Sequence, residues 1–514
     1  LTVAPTASFW DCGEFIAVSN EMEVSHPPGA PFYLLVGRVL AMFAPSPEHV
    51  AYMVNLLSVF SSSFSVLFIF WTITIFGKKI LLSQGHDDKP NPAAELTGSQ
   101  RFLLMSAGVV GALACCFSSS FWFNAVEAEV YAFASFFTTI NFWLMLKWEA
   151  RADEPTSFRW ALLILYLTGL SIGVQLLSLL TIPALVLIYY FRKYPVNWKG
   201  FIAAGAVAIL ILGVMNSFVI KTTFDLAWTF EKVFVGGTEM TFDPNTGEVL
   251  RVGKENGMQF PMGTGAAIFF GLLVLALIGG LWWTHKTKKV IPHLVLLAVT
   301  FVYLGLSTYG IIFMRANQGT PINENDPSNI LYFVKYMKRE QYGEWPILHG
   351  PMYNAQARRV PTGEDKYIKL HEQNKYVIDG KKDRIEYLSG ERFFPRMHSP
   401  GHYTAGPFGY QNYVANKGAD PNDPYDDQPT GKENLFFFWD YQVNHMYLRY
   451  FLWNFAGRVS DEQESQWETG LFSWRDGDLP QSVKQDKSRN HYYAFPLILG
   501  LMGLVFHFQK RRWD

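Results

Sequence analysis

Long apolar stretches recur along the whole chain and constrain its fold more than any other feature. A membrane-spanning helix needs about 20 mostly apolar residues. Seven such stretches predict one span each, and an eighth, Trp160–Phe191, is long enough for two short helices that meet near Ser171–Gln175. Together the stretches predict about nine membrane spans. The other seven segments are Val50–Phe76, Phe102–Phe123, Val130–Leu146, Phe201–Ile220, Thr264–Trp283, Ile291–Met314 and Tyr492–Phe508.

Charge supports the same class of protein. Charged residues make up 17% of the chain, whereas soluble domains carry about 25%. The net charge is −1, so no basic surface argues for a nucleic-acid partner. The chain has 3 cysteines, too few for a disulfide framework. We therefore predict an α-helical polytopic membrane protein.

Basic residues predict the orientation of the spans, because cytoplasmic loops are enriched in Lys and Arg. All the basic clusters can lie on the cytoplasmic side together, which places residues 1–48, the corners at Asn124–Glu129 and Gln175, and residues 315–491 outside. The apolar segment Gly29–Phe43 is short and contains Arg38, so we expect an interfacial or re-entrant helix there. The clusters are Lys78 and Lys79; Lys147, Arg151 and Arg159; Arg192, Lys193 and Lys199; Lys286, Lys288 and Lys289; and Lys510, Arg511 and Arg512.

The spacing of these segments predicts three parts. Residues 1–314 form a membrane domain, and residues 315–491, rich in Tyr, Pro, Gly, Asn and Asp, form an extracytoplasmic α+β domain. Residues 492–514 form a last membrane helix with a cytoplasmic end. We also expect a further membrane helix before Leu1 and more chain after the basic end.

Asp11 and Glu14 are the first candidates for catalysis, since they precede the first long apolar stretch on the predicted outer face. Transfer of a sugar to a hydroxyl needs a base that takes the proton of the acceptor. We favour Asp11 as this base, with Glu14 orienting the acceptor or Asp11 itself. The alternative is that Asp11 only caps a helix that begins near Glu14.

His26 lies in a turn fixed by Pro27, Pro28 and Gly29, where it could donate to a phosphate or a sugar hydroxyl. An ordinary turn histidine is the alternative. Glu127 and Glu129 sit at a corner between two spans, where ionisable groups are costly and often functional. The pair could bind a divalent cation or shape the acceptor groove without metal, and two solvated corner residues are the alternative.

Arg38 and Arg315 are candidate ligands of a lipid phosphate, because arginine binds phosphate through two parallel hydrogen bonds. Arg315 follows a predicted span, and Asn323 and Glu324 extend a polar patch beside it. The alternatives are that Arg38 snorkels to the membrane interface and that Arg315 is a simple interface anchor.

Several motifs of this chain together resemble a multispanning membrane family of formerly unknown function that is common in Bacteroidota and is similar to a eukaryotic protein O-mannosyltransferase. The resemblance covers residues 11 to about 342. It implies a GT-C-like helix bundle whose first outer loop carries the catalytic acid, here Asp11, and a polyprenyl-phosphate-linked sugar as donor. Gln175 departs from it, since relatives are expected to have histidine at that corner. The motifs are Phe9–Phe15, His26–Gly29, Val126–Tyr131 and Pro321–Asn325.

The prediction is an inverting glycosyltransferase of the bacterial inner membrane, with its active site on the periplasmic face. It would move a hexose, expected to be mannose, from the lipid carrier to Ser or Thr of an exported protein, and the acceptor comes from the resemblance alone. Asp11 and Glu14 are assigned to catalysis. A non-enzymatic subunit of an envelope export or assembly complex is the alternative. A transporter is disfavoured, because the polar groups gather at one face. Residues assigned to binding the substrate or the lipid phosphate are His26, Arg38, Glu127, Glu129, Gln175, Arg315, Asn323 and Glu324.

Overall fold

The computed structural model describes residues 2–82, 95–242, 249–343, 346–370, 374–398, 409–414, 429–471 and 479–511. The cytoplasmic connection expected around Gly85–Pro92 and the basic residue Arg512 lie outside these ranges. Within them the chain divides into two compact units. The first unit comprises Leu1–Gly236, Gly257–Gln341 and Gly500–Asp514, and the second comprises Gly237–Asn256 and Tyr342–Leu499.

Most described residues of the first unit are helical, as the apolar stretches predict. Short 3-10 turns at Pro47–His49 and Leu176–Thr181 lead into two of its helices, and a π-helical stretch at Val214–Thr222 joins two others. The helices are α1 (Cys12–Glu21), α2 (Pro31–Ala41), α3 (Val50–Leu82), α4 (Gly98–Cys116), α5 (Ser119–Ala125), α6 (Val130–Ala150), α7 (Phe158–Ile172), α8 (Ile182–Lys193), α9 (Trp198–Gly213), α10 (Thr223–Phe234), α11 (Thr264–Lys286), α12 (Val290–Leu306), α13 (Tyr309–Ala316) and α14 (Ile330–Lys338).

Six helices of the described chain are long and apolar enough to cross a membrane, and a seventh crossing results if the bent pair α5–α6 counts as one span. The chain is thus an α-helical polytopic membrane protein. The sequence predicts about nine spans, and the difference arises at two helices: α7 has 15 residues and α18 (Phe495–Arg511) has 17. Both are apolar but short. The short segment that contains Arg38 folds as the 11-residue helix α2.

The core of the first unit gathers around α1, α2, α6 and α7. Phe15 packs its ring against Tyr33 at 5.3 Å, and Phe32 stacks on Phe133. Helices α7 and α12 touch through backbone, because a Cβ atom built on Gly305 would lie 2.4 Å from the carbonyl carbon of Gly169. Small residues that allow such close approach are typical of helix packing in membranes.

Charged groups at the carboxyl ends of α3, α6 and α8 meet one another. Lys79 pairs with Glu149 at 2.7 Å, and the Nε of Arg192 donates to the carbonyl oxygen of Glu149 at 3.1 Å. These ends carry three of the basic clusters that the sequence assigns to one face. The amino end of α6 begins after Glu129, about 30 Å away along a helix of 21 residues.

The second unit combines sheets and helices, so it is the α+β part that the sequence predicts. Its main sheet has the order β2-β1-β5-β4, in which β1 and β5 are parallel and the other pairs antiparallel. Residues 315–341 belong to the helical unit, because α14 buries an apolar face there. The elements are β1 (Gly237–Phe242), β2 (Val249–Asn256), β3 (His349–Pro351), β4 (Ala357–Leu370), β5 (Lys375–Tyr387), β6 (Glu391–Phe393), α15 (Gly431–Phe437), α16 (Arg449–Phe455), β7 (Gly457–Arg458), α17 (Gln481–Lys484), β8 (Asn490–His491) and α18 (Phe495–Arg511), of which α18 crosses the division.

Candidate active site

A histidine and two carboxylates come together at the amino end of α1. Glu14 accepts two hydrogen bonds from His26: the backbone N–H donates at 2.7 Å, and Nδ1 lies 2.9 Å from the other carboxylate oxygen. The opposite ring nitrogen of His26, Nε2, lies 4.0 Å from a carboxylate oxygen of Asp11. The side chains therefore form a chain in the order Glu14, His26, Asp11.

Asp11 occupies the N-cap position of α1, but its side chain makes no capping hydrogen bond. The carboxylate is 57% exposed. A capping aspartate normally accepts a bond from the second or third backbone N–H of the helix. The side chain of Asp11 therefore does not cap α1, and its carboxylate is accessible to an external group.

The hydrogen bonds between Glu14 and His26 shift the pKa of each group towards its charged form. Burial opposes ionisation of Glu14, but the bonds from His26 outweigh it and lower its pKa. The bond to Glu14 raises the pKa of His26 against the opposing effect of burial, and the negative charges of Glu14, Asp11 and Glu129 add to the rise. An ionised Glu14 thus favours a protonated imidazole beside Asp11.

The turn that carries His26 is fixed from behind by the segment after α13. Val24 accepts a backbone hydrogen bond from Glu324 at 3.2 Å and donates one to Ile322 at 3.1 Å. The hydroxyl of the fully buried Tyr336 donates to the carbonyl oxygen of Ser25 at 2.5 Å. Backbone pairing and this buried bond hold the imidazole in one place.

Glu127 and Glu129 lie against the same loop. Glu127 is 3% exposed and hydrogen-bonds the side chains of Ser8 and Cys12. Glu129 is the N-cap of α6, where its carboxylate accepts from the N–H of Val130 at 3.2 Å. Both acids are buried. This excludes the alternative that they are two solvated corner residues.

The pKa of each corner acid is raised. Burial is the main cause for both, and for Glu129 the charges of Asp11 and Glu127 add to it and raise its pKa to about 7. Glu129 also interacts electrostatically with His26. Four acids and one histidine therefore influence one another at this place, and the raised pKa of Glu129 lies near neutral pH.

A small cavity of about 40 Å³ opens beside the imidazole. Its wall includes His26, Gly29, Ile172 and Gln175. The carbonyl of the Gln175 side chain accepts from the N–H of Leu176 at 2.9 Å, which caps the turn that follows. The structure therefore brings Gln175 close to His26, and the residue also has a local structural role.

Arg38 and Arg315 lie at the other end of α1. Arg38 donates to the backbone and side-chain oxygens of Asn20. Arg315 donates to the carbonyl oxygens of Glu21, at 2.8 Å, and of Met22. Ten residues of helix separate these contacts from Asp11, a distance of about 15 Å. The structure does not bring the two arginines to the acidic cluster, and their role as phosphate ligands stays a prediction.

Asn323 and Glu324 stand behind the His26 turn. The amide of Asn323 donates to the carbonyl oxygen of Ala316 and to Asp326, and the side chain of Glu324 is exposed. Among the residues described here, Asp11, Glu14 and His26 offer ligand atoms within 4.8 Å of one another, close enough for one cation. Both oxygens of Glu14 already bind His26, however, so a cation would have to displace those bonds.

Two parts of the chain match family models. Residues 11–198 match the model of the protein O-mannosyl-transferase TMEM260 N-terminal domain, and residues 343–439 match that of a family of unknown function (DUF8416). The chain is 23% identical over 198 residues to protein O-mannosyl-transferase tmem260 of Dictyostelium discoideum, and 26% identical over 187 residues to TMEM260 of Mus musculus. The chain is similar to a eukaryotic protein O-mannosyl-transferase.

The similarity to the O-mannosyl-transferases is partial. The alignments cover 37% and 36% of this chain and 21% and 22% of the two relatives, so the chain spans about a fifth of their length. No solved structure matches the chain significantly. The matched segment contains Asp11, Glu14, His26 and both corner acids, whereas Arg315, Asn323 and Glu324 lie beyond it.

Sequence reasoning missed several residues that build this site. Cys12 is fully buried against Glu127, and burial together with the neighbouring acids raises its pKa to about 12, so it stays a thiol. Ser8 hydrogen-bonds Glu127, and Tyr336 holds the turn that carries His26. Cys12 stands within the Asp11 motif, which was a usable signal. Nothing in the sequence around Tyr336 marks it as a partner of Ser25, more than 300 residues away.

Proposed function

We propose that this protein is a glycosyltransferase that moves a hexose, mannose by analogy with its relatives, from a polyprenyl-phosphate carrier to Ser or Thr of an exported protein. The observation that carries the proposal is the open carboxylate of Asp11, 4.0 Å from the imidazole that Glu14 holds. This array lies within the segment that matches the O-mannosyl-transferase family model. It lies beside Glu129, at the start of the apolar helix α6, which suits a lipid-bound donor.

Asp11 acts as the base in this reaction. Its carboxylate takes the proton of the acceptor hydroxyl as the oxygen bonds to the anomeric carbon, and the bond from that carbon to the carrier phosphate breaks with its electrons going to the phosphate. Inversion puts the base and the leaving phosphate on opposite sides of the sugar. His26, so close to Asp11, therefore belongs to the base and not to the phosphate ligands.

Glu14 and His26 orient Asp11. A protonated imidazole next to a carboxylate stabilises its negative charge, and Glu14 fixes the ring through two hydrogen bonds. The buried acids Glu127 and Glu129 position the loop and shape the acceptor side of the site. The site lies on the outer face of the cytoplasmic membrane in this proposal, because the basic clusters occupy the other end of α6.

The proposal is tested with Asp11→Asn and a matched control, Asp153→Asn. Asp153 is 71% exposed and pairs with Arg192 and Lys193 on the surface, where an ion pair contributes about 0–1 kcal/mol. Membranes with each variant receive polyprenyl-phosphate mannose and a Ser/Thr-containing exported protein. Transfer should fall at least about 100-fold for Asp11→Asn and stay at the wild-type level for the control, with equal amounts of protein in the membrane.

Glycan analysis of exported proteins in cells gives the second readout. Loss of a hexose-initiated O-glycan in the Asp11→Asn strain alone supports the transferase. Unchanged glycans and unchanged transfer would contradict the role of Asp11 as the base, and absence of transfer by the wild type itself would favour the non-enzymatic subunit of an envelope complex. Transfer from a soluble nucleotide sugar without a lipid intermediate would contradict only the proposed donor.

A further inference from the structure

Two large aromatic side chains, Phe9 and Trp10, are exposed beside the candidate base. Trp10 directly precedes Asp11 and is 76% exposed. Its backbone has a φ of 60°, in the left-handed region that bulky residues rarely adopt. Such conformations persist where the surrounding structure imposes them, and they cluster at functional sites. The residue that presents its indole to the outside therefore has an unfavourable backbone conformation next to the reacting group.

The exposure of Trp10 belongs to a well-anchored loop. Residues on both sides of it bind the same buried acid, since Ser8 and Cys12 both hydrogen-bond Glu127. Further back, the N–H of Ala4 donates to the carbonyl oxygen of Val126 at 2.9 Å, and the amide of Asn55 donates to the carbonyl oxygen of Ala4 at 2.6 Å. The chain is tied down before and after Trp10, so the loop turns this side chain outward.

The chemistry around the indole points to one class of ligand. Asp11 contributes an open carboxylate and His26 an imidazole, both suited to hydroxyl groups. The indole contributes a flat face whose negative quadrupole attracts weakly positive C–H groups. A pyranose offers both kinds of surface, since it has hydroxyls around its rim and C–H groups on one face. A lipid tail has no hydroxyl that could donate to the carboxylate.

We propose that Trp10 is the platform on which the hexose of the donor stacks, so that its anomeric carbon faces Asp11. The inference rests on the proposed function and adds to it a residue that binds the sugar itself. A stacked ring would be held over the indole while the carboxylate approaches from the side. Trp10 would then contribute to the affinity for the sugar and not to that for the carrier lipid.

The experiment measures binding to the purified full chain in nanodiscs. Two ligands are compared, polyprenyl-phosphate mannose and the same polyprenyl phosphate without sugar. The variants are Trp10→Ala and Trp10→Phe, with Trp198→Ala as the matched control. Trp198 is 69% exposed at the start of α9, distant in sequence from Asp11, and it reports what the loss of any exposed tryptophan does.

Trp10→Ala should weaken binding of the mannosyl lipid by roughly tenfold and leave binding of the bare lipid unchanged. Trp10→Phe should recover most of the loss, because a phenyl ring keeps a stacking face, and Trp198→Ala should match the wild type with both ligands. KM for the mannosyl lipid should rise in the same order, while kcat changes less.

Two results would overturn the inference. Equal weakening of both lipids by Trp10→Ala would make Trp10 a membrane-interface anchor, and wild-type binding of both would leave the indole without a role in the donor site. The wild type alone reports on the proposed function: a chain that binds the two lipids equally and transfers no mannose refutes the donor itself, before any variant is compared.

Discussion

The two ends of α1 carry opposite charges and use them in opposite ways. At the carboxyl end, Arg38 and Arg315 donate hydrogen bonds to the carbonyl oxygens of residues 20–22. At the amino end, Asp11 makes no capping bond and stays 57% exposed. Both ends complement the helix dipole, but the arginines bind the backbone of the chain, whereas the carboxylate of Asp11 makes no capping bond. A charged side chain becomes a candidate for function when the fold leaves its hydrogen-bonding groups available to a ligand.

The largest expected effect is on turnover at the amino end. His26→Gln removes the imidazole that orients Asp11, so we expect kcat to fall about 100-fold with KM nearly unchanged. The unfolding temperature should fall by no more than that of Glu14→Gln, which breaks the same side-chain bond, and the membrane level should stay close to the wild type, as measured by fluorescence-detected chromatography after heating. If the fall in kcat disappears when activity is normalised to folded protein, His26 has a structural role, like the arginines at the carboxyl end of α1.

The second effect concerns stability at the carboxyl end. Arg315→Gln loses charge-assisted hydrogen bonds to two carbonyl oxygens of α1, which should cost about 2 kcal/mol, seen as a lower unfolding temperature. Specific activity of the remaining folded protein should match the wild type. The comparison breaks if Arg315→Gln keeps its stability and loses affinity for polyprenyl phosphate, because the arginine would then be a phosphate ligand.

A third effect is the dependence of stability on pH. The lowered pKa of Glu14 gives a contribution that is present above pH 4.5 and lost as the pH falls through its folded value. The raised pKa of His26 gives one that is present below pH 6.5 and lost as the pH rises through its folded value. The unfolding temperature of the wild type should therefore exceed that of Glu14→Gln most between these two values.

The control for this pH dependence is Glu95→Gln. Glu95 is 89% exposed and lies 3.5 Å from Arg101, so its loss should change the unfolding temperature little at any pH. A difference between wild type and Glu14→Gln that stays constant up to pH 9 would show that charge does not enter the interaction. The bond between Glu14 and His26 would then act as a neutral hydrogen bond.

The smallest effect is expected at Gln175. Gln175→Ala removes the side chain that caps the turn at Leu176, and loss of a cap costs about 1 kcal/mol. Gln175→His, the residue that the family resemblance predicts, should keep activity within about threefold of the wild type, because neither residue carries the reaction. A loss of turnover as large as that of His26→Gln would extend the active site to the far side of the cavity.

The sequence predicts the helices well, because membrane burial demands long apolar runs and little else produces them. It also brings Asp11, Glu14 and His26 together correctly, since they lie within 16 residues of chain. It cannot tell that the arginines bind α1, because Arg315 reaches Glu21 from 294 positions away. Contacts of that kind follow from how α1 and α13 pack, and no local pattern encodes them.

The division of the chain shows a similar limit. Composition correctly indicates an α+β part, yet β1 pairs with β5, where Thr238 lies opposite Val377, 139 residues further on. Parallel pairing over such a separation leaves no periodic trace in either strand. The apolar face of α14, in contrast, could have assigned residues 330–338 to the helical unit from their spacing alone.

Helix α7 has one more consequence. Its 15 residues measure about 22 Å, several Å less than a hydrocarbon layer of about 30 Å. Its contact with α12 through Gly169 and Gly305 leaves little freedom to adjust. A helix too short for its bilayer draws the lipid inward, and α7 ends at Ile172, in the wall of the cavity beside His26. Hydrophobic mismatch at α7 would thin the leaflet there and bring the headgroup layer of the lipids down to the site.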